Sequence, residues 1–153
     1  MDLTKGSAIV SGGAGGLGGA TARRLVELGM HVVVLEPDYG KAAEFADTLG
    51  SRAIPMAGDH NNEEDVRSAI RKAQAVGVFS INVNSAGVAI ATPATADSSG
   101  VPHDPAIFRQ MIDLHLFGPF NMSRLCAAAF ALNEADEDGQ RGVIVNTSST
   151  AAW

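Results

Sequence analysis

Hydrophobic positions along this chain alternate between two spacings. Short runs of β-branched and other apolar residues predict strands, and the segments between them carry apolar residues at the three- and four-residue spacing of an amphipathic helix. The predicted strands, in chain order, are Ala8–Val10, His31–Leu35, Arg52–Met56, Phe79–Val83 and Val143–Asn146. Such alternation is typical of βαβ units, in which helices connect parallel strands and cover the sheet. The pattern therefore predicts an α/β fold.

Three helices are predicted between the first four strands, each with one apolar stripe to bury. The stripes are Leu17, Thr21, Leu25 and Leu28; Ala42, Phe45, Ala46 and Leu49; and Val66, Ala69, Ile70 and Ala73. Residues 88–105 have no periodicity and predict a loop. The segment from Asp104 to about Leu132 predicts one long helix, and Pro119 should kink it because proline has no N–H to donate.

Composition and charge exclude several classes of protein. A chain of 153 residues predicts a single domain over residues 1–153. Its net charge of −6 opposes binding to nucleic acid, and no apolar run approaches the roughly 20 residues that span a bilayer. The only cysteine, Cys126, cannot form an internal disulfide, which favours a reducing cytoplasm. The four histidines show no spacing typical of a metal site, so no metal is expected.

A dense run of glycines lies between the first strand and the first helix. The start of a helix favours phosphate binding, because its backbone N–H groups are unpaired and its dipole is positive there. Two spacings typical of dinucleotide-binding loops fit, namely Gly13, Gly15 and Gly18 or Gly12, Gly16 and Gly18. Together with the neighbouring Ser11 and Leu17, this loop is the predicted binding site for the phosphates of a cofactor.

Glu36 ends the second strand, at the position where a carboxylate accepts hydrogen bonds from the adenosine ribose of a dinucleotide. The same carboxylate would repel the 2′-phosphate of NADP, and neither Pro37 nor Asp38 supplies a compensating cation. The predicted cofactor is therefore NAD rather than NADP. The alternative interpretation is that Glu36 is an ordinary solvated acid at a strand end.

Two segments together resemble the short-chain dehydrogenase/reductase family. That family pairs a TGxxxGxG loop with a later NNAG segment, and this chain has "SGGAGGLG" after the first strand and "NSAG" after the fourth. The resemblance selects the register of Gly12, Gly16 and Gly18. It implies a Rossmann-type doubly wound parallel sheet of about five strands in the order 3-2-1-4-5, with helices on both faces and without the C-terminal strands and helices of the full family fold.

The resemblance also implies roles for residues that follow the third and fourth strands. Asp59 in "AGDH" would hold the adenine ring, with His60 beside it in the cofactor site. Asn84, Ala86 and Gly87 would steady the central strand and the ribose of the cofactor. Without the resemblance, Asp59 and Asn84 would be interpreted as ordinary polar residues at strand ends.

The implied catalytic residues are Ser149 and His115. Ser149 matches the family serine that hydrogen-bonds the reacting oxygen of the substrate, and a Tyr-x-x-x-Lys pair follows it in the family. The only tyrosine of this chain, Tyr39, lies at the start of the second helix. His115 stands where the family usually has asparagine, and it is interpreted either as a proton relay or base, or as a packed helix histidine.

The segments "FRQMIDLHLFGPFNMSRL" and "NEADEDGQRGVIVNTSS" look like a branch of the family that oxidises 3-hydroxyacyl-CoA thioesters and some steroid alcohols with NAD, typically as tetramers. The expected function is thus NAD-dependent interconversion of a secondary alcohol and a ketone by a dimer or tetramer, with this chain as the front part of a longer polypeptide. The alternative is a non-catalytic dinucleotide-binding or interaction module that ends at Trp153.

Overall fold

A parallel sheet forms the centre of the computed structural model, which describes residues 2–93 and 95–149. Its strands are β1 (Gly6–Ser11), β2 (His31–Glu36), β3 (Ala53–Ala57), β4 (Val78–Asn84) and β5 (Val143–Asn146). They lie in the order β3-β2-β1-β4-β5, and all neighbouring strands are parallel. The five predicted strands and their order are confirmed, and no bound differs by more than two residues. Trp153 lies outside the described residues.

The helices follow the predicted order. They are α1 (Gly16–Glu27), α2 (Tyr39–Asp47), α3 (Glu63–Val76), α4 (Pro105–Ile112) and α5 (Gly118–Phe130), with a 3-10 turn at Leu3–Lys5. Polar side chains cap three of them at the N-terminus: Asp38 caps α2, Asn62 caps α3 and Asp104 caps α4. Each cap accepts a hydrogen bond from a first-turn N–H that has no partner within its own helix.

Helices cover both faces of the sheet and bury a separate core on each. Helices α1 and α2 pack over one face, and α3 and α5 pack over the other. The first core contains Ala8, Val10, Ala22, Met30, Val32, Val34, Ala42, Ile81 and Val83. The second contains Ile9, Val33, Leu35, Met56, Val66, Ala69, Ile70, Ala73, Phe79, Met122, Leu125, Cys126 and Phe130. The doubly wound arrangement is confirmed, and the crevice it creates lies at the carboxyl ends of the strands.

The apolar stripe predicted for α1 is wrong at its ends. Leu17 is 71% exposed, and the residues that α1 buries are Gly18, Gly19 and Ala22. The reason is the short distance between α1 and its neighbours, since a Cβ on Gly19 would lie 3.0 Å from the Phe45 ring. Only very small residues fit on a face packed this closely. The stripe predicted for α3, by contrast, is entirely buried.

The predicted long helix contains a π turn, Asp113–Phe117, between α4 and α5. The N–H of Gly118 donates to the carbonyl oxygen of Asp113, five residues earlier. Pro119 follows directly and has no N–H to give to the His115 carbonyl, so the regular hydrogen-bond ladder cannot continue through this point. The disturbance predicted at Pro119 therefore takes the form of a π turn just before the proline.

Candidate functional site

A crevice of about 390 Å³ opens at the carboxyl ends of β1, β2 and β4. The strand order reverses direction between β1 and β4, which is where ligands bind in doubly wound sheets. The residues that line the crevice are Gly12, Gly15, Gly16, Leu17, Gly18, Glu36, Pro37, Lys41, Ser85, Ala86, Gly87, Val88 and Leu114. It thus brings together the glycine loop, the acid at the end of β2 and the segment after β4.

The three glycines of the favoured register meet different demands. Gly12 has a φ of +67°, and a Cβ there would lie 2.7 Å from the Cα of Ala86. A Cβ on Gly18 would overlap the carbonyl oxygen of Gly12. Gly16 has no atom within 4 Å of an added Cβ, because it faces open space at the start of α1. Gly12 and Gly18 therefore keep the loop compact, and Gly16 leaves room above it.

The first turn of α1 presents free backbone donors to this open space. Its N-cap is Gly15, which has no side chain to accept a hydrogen bond from the amides of Gly16, Leu17 or Gly18. The positive end of the helix dipole adds to the attraction for an anion. A site of this kind fits the pyrophosphate of a dinucleotide, and the open space over Gly16 allows such a group to approach the backbone.

Glu36 is held between the glycine loop and α2. Its side chain is 7% exposed, Oε1 accepts a hydrogen bond from the Ala14 N–H at 3.0 Å, and Oε2 lies 3.8 Å from Lys41 Nζ. The carboxylate therefore orders the glycine loop as well as facing the crevice. The sequence did not lead us to predict that Lys41 lies beside Glu36. The only signal was the capping residue Asp38, which predicts a helix whose first turn brings Lys41 back toward the strand.

The residues after β4 form the opposite wall of the crevice. Ala86 and Gly87 line it, and the ring of His115 packs against Gly87, where a Cβ would lie 2.8 Å from His115 Cε1. His115 Nε2 lies 2.9 Å from the carbonyl oxygen of Val88, so this nitrogen carries the proton and donates. The His115 side chain is nevertheless exposed in the part of the chain that the structure describes, and both interpretations of this residue stay predictions. It ties the π turn to the crevice wall and leaves Nδ1 as the acceptor nitrogen.

Ser11 and Asn84 are buried behind the crevice and do not line it. The Asn84 amide donates to Asn146 Oδ1 at 2.7 Å and links β4 to β5. Asn82, an unusual polar residue in the centre of the sheet, donates to Asn84 Oδ1 at 3.2 Å. The Asn82 and Asn84 side chains thus hold the strands that carry the site. Direct contact of Ser11 and Asn84 with a cofactor stays a prediction.

Asp59 and His60 also lie outside the crevice. Asp59 is exposed after β3, and its carboxylate accepts a hydrogen bond from the Asn61 N–H at 2.8 Å. His60 is 5% exposed and packs on Gly118, with no hydrogen-bond partner for either ring nitrogen among the described residues. Burial lowers the pKa of His60 below its ordinary value of 6.5; the nearby Asp59 opposes this shift and His115 adds to it.

Ser149 is exposed and follows the end of β5 by three residues. Because β5 runs parallel to β4 with Asn146 opposite Asn84, Ser149 lies beyond the same edge of the sheet as the crevice. Its assignment as a catalytic residue stays a prediction. Within residues 2–93 and 95–149, no cluster of three or more His, Cys, Asp or Glu side chains is arranged to hold a metal. No helix in that part of the chain is both long and apolar enough to cross a bilayer.

Comparison with known proteins agrees with this geometry. Residues 7–153 match the family model for short chain dehydrogenase. A human relative, 3-hydroxyacyl-CoA dehydrogenase type-2, is 40% identical over 148 residues, which are 95% of this chain and 56% of the relative. The chain thus spans little more than half the length of that relative.

Solved structures show the same likeness. The crystal structure of 3-hydroxyacyl-CoA dehydrogenase type-2 from Mycobacterium avium superimposes with a TM-score of 0.93 at 40% identity, covering 97% of this chain and 58% of that one. The 3-ketoacyl-(acyl-carrier-protein) reductase from Brucella melitensis, complexed with NADH, gives a TM-score of 0.83 at 30% identity over 98% of this chain and 59% of that one. With this fold and this match over almost its whole length, the chain belongs to the short chain dehydrogenase family.

Proposed function

We propose that residues 1–153 form a single NAD-binding domain of a dehydrogenase that interconverts secondary alcohols and ketones. The observation that carries the proposal is the crevice itself, which joins the free amides at the start of α1, the Glu36 carboxylate and the Ala86–Gly87 segment in one space. The family membership and the NADH held by the Brucella melitensis relative support it.

Each wall of the crevice has a separate task in this proposal. The amides of Gly16, Leu17 and Gly18 bind the pyrophosphate, and Glu36 accepts hydrogen bonds from the adenosine ribose. Ala86 and Gly87 lie along the remaining part of the dinucleotide. When bound, NAD supplies the acceptor for the hydride that leaves the carbinol carbon.

The proton of the alcohol must leave together with the hydride, and two side chains are proposed for this step. Ser149 orients the reacting oxygen by a hydrogen bond. His115 relays the proton to solvent: its Nδ1 takes the proton from the alcohol and later releases it to water, while its Nε2–H stays on the Val88 carbonyl and holds the ring in place.

The substrate class, the cellular location and the oligomeric state belong to the same proposal. A 3-hydroxyacyl-CoA is the candidate substrate, since the human and mycobacterial relatives carry that activity in their names. A cytoplasmic location is proposed because the only cysteine, Cys126, cannot form an internal disulfide, which suits a reducing compartment. We also propose that the chain forms a homo-oligomer.

Turnover of a 3-hydroxyacyl-CoA with NAD, followed through the absorbance of the reduced nicotinamide, tests the catalytic part. We expect His115→Ala to lower the rate at least about tenfold, because a positioned proton relay contributes at least that much. The rate of the His115→Asn variant should be as low as that of His115→Ala, although asparagine can still donate to the Val88 carbonyl. Full activity in either variant would contradict the relay, and NAD binding without turnover of any alcohol would support the alternative of a non-catalytic module.

A further inference from the structure

The adenosine end of the crevice holds one negative and one positive side chain that face each other. Among the crevice-lining residues that the structure describes, Glu36 is the one acid and Lys41 the one base. Their charged atoms, Oε2 and Nζ, are 3.8 Å apart. The acid that should select NAD is therefore partly neutralised by a neighbour on α2.

The two partners differ in their freedom to move. Glu36 is buried and also bound to the Ala14 N–H, so its carboxylate stays in place. The side chain of Lys41 is 55% exposed, and only the backbone of this residue is fixed, by a hydrogen bond from its N–H to Asp38 Oδ1 at 3.3 Å. A lysine with these properties can follow a new anion without unfolding the helix that carries it.

We propose that Lys41 is a specificity-determining residue, one that narrows the preference of this chain for NAD over NADP by pairing with the 2′-phosphate of NADP. The proposal rests on the proposed function. Glu36 repels the added phosphate, and the Lys41 ammonium, which lies beside the same carboxylate, attracts it. Because one charge of each sign lies near the 2′-phosphate, we expect a smaller difference in affinity between NAD and NADP than the Glu36 carboxylate alone would impose.

The test compares dissociation constants for NADH and NADPH in the wild-type chain and in Lys41→Gln, measured by the fluorescence of the bound nicotinamide. We expect the variant to bind NADPH about fivefold more weakly, the upper range for an exposed charge pair, and to bind NADH with less than about twofold change. The NADPH effect should shrink at high salt because the interaction is screened. Lys41→Arg should keep most of the NADPH affinity.

Lys72→Gln is the matched control, since it removes the same charge from an exposed position on α3, outside the crevice. It should leave both affinities unchanged. An equal change for the two dinucleotides in Lys41→Gln, or no change for either, would overturn the role of Lys41. If the wild-type chain binds neither dinucleotide, the proposed function fails first, so the two failures are distinguishable.

Discussion

At the scale of single residues, glycine occupies two positions of the glycine loop for different physical reasons. Gly18 is required by packing, because a Cβ there overlaps the Gly12 carbonyl oxygen, whereas Gly16 faces open space. We expect Gly18→Ala to lower the free energy of unfolding by about 1–3 kcal/mol, the usual range for an overpacked site. Gly16→Ala should change stability by less than about 0.5 kcal/mol, as most substitutions at open positions do.

Gly16→Ala should nevertheless weaken NADH binding, because its methyl group occupies the space through which the pyrophosphate approaches the amides of α1. Urea unfolding and NADH titration of both variants check these expectations together. Retention of full NADH affinity in Gly16→Ala would contradict the placement of the pyrophosphate. A Gly18→Ala protein as stable as the wild type would contradict the close packing of the loop.

His60 gives the folded chain a predictable dependence on pH. Its imidazole is buried without a hydrogen-bond partner among the described residues, and burial holds its pKa below 6.5. The unfolded chain therefore binds the proton more readily than the folded chain. Above pH 6.5 the contribution of His60 to the free energy of unfolding does not change with pH. As the pH falls below that value, His60 lowers the free energy of unfolding by up to about 1.4 kcal/mol per pH unit.

His60→Leu should remove this acid-side loss and raise the free energy of unfolding at neutral pH, because leucine has no polar atoms that need partners. Denaturant unfolding on both sides of pH 6.5 measures the effect. His31→Gln, a change at the less deeply buried first residue of β2, is the control and should keep the dependence. If His60→Leu and the wild type lose stability in parallel on acidification, His60 is not the responsible group.

At the scale of elements, Asn84 joins three parts of the site. Its amide donates to Asn146 on β5, and it lies 3.5 Å from the Pro119 carbonyl oxygen and 3.4 Å from Ser123 Oγ on α5. We expect Asn84→Ala to cost about 1–3 kcal/mol, because it leaves the buried Asn82 amide without the oxygen to which it donates. Backbone amides of β5 should exchange with solvent faster than in the wild type.

Ser123→Ala serves as the comparison for this variant, since it removes only a long contact with Asn84 and should leave β5 protected. Equal exchange of the β5 amides in the Asn84→Ala protein and the wild type would show that backbone pairing with β4 alone holds the strand.

The strands and the glycine loop were predictable from sequence because their signals are local: runs of β-branched residues, and glycines placed between a strand and a helix. The pairing of Lys41 with Glu36 and the burial of His60 against Gly118 were not, since each depends on two elements meeting in space. The prediction of the apolar stripe on α1 was wrong at its ends for the same reason. Pro119 predicted a disturbed helix, but the sequence around it does not distinguish a kink from a π turn.

At the scale of the whole molecule, α4, the π turn and α5 expose a set of large apolar side chains. Phe108, Leu116 and Phe120 are 60%, 63% and 60% exposed. Exposed apolar surface of this kind is typical of protein interfaces, and it supports the proposed homo-oligomer. We expect the chain to associate with itself in sedimentation measurements as its concentration rises.

Replacing Phe108 and Phe120 by glutamate should shift this association toward the monomer, because charged residues oppose burial in an apolar interface. The matched control is Leu132→Glu, a change at an apolar residue that is 85% exposed beyond the end of α5. A wild-type chain that stays monomeric at all concentrations would contradict the proposed oligomer.

The proposed function depends most on the free amides of α1 and the Glu36 carboxylate binding an adenine dinucleotide together. Isothermal titration of the folded chain with NADH tests it most directly. We expect saturable binding of one NADH per chain, weakened in both Gly16→Ala and Glu36→Ala. The absence of any binding at millimolar NADH, in a chain shown to be folded, would contradict it.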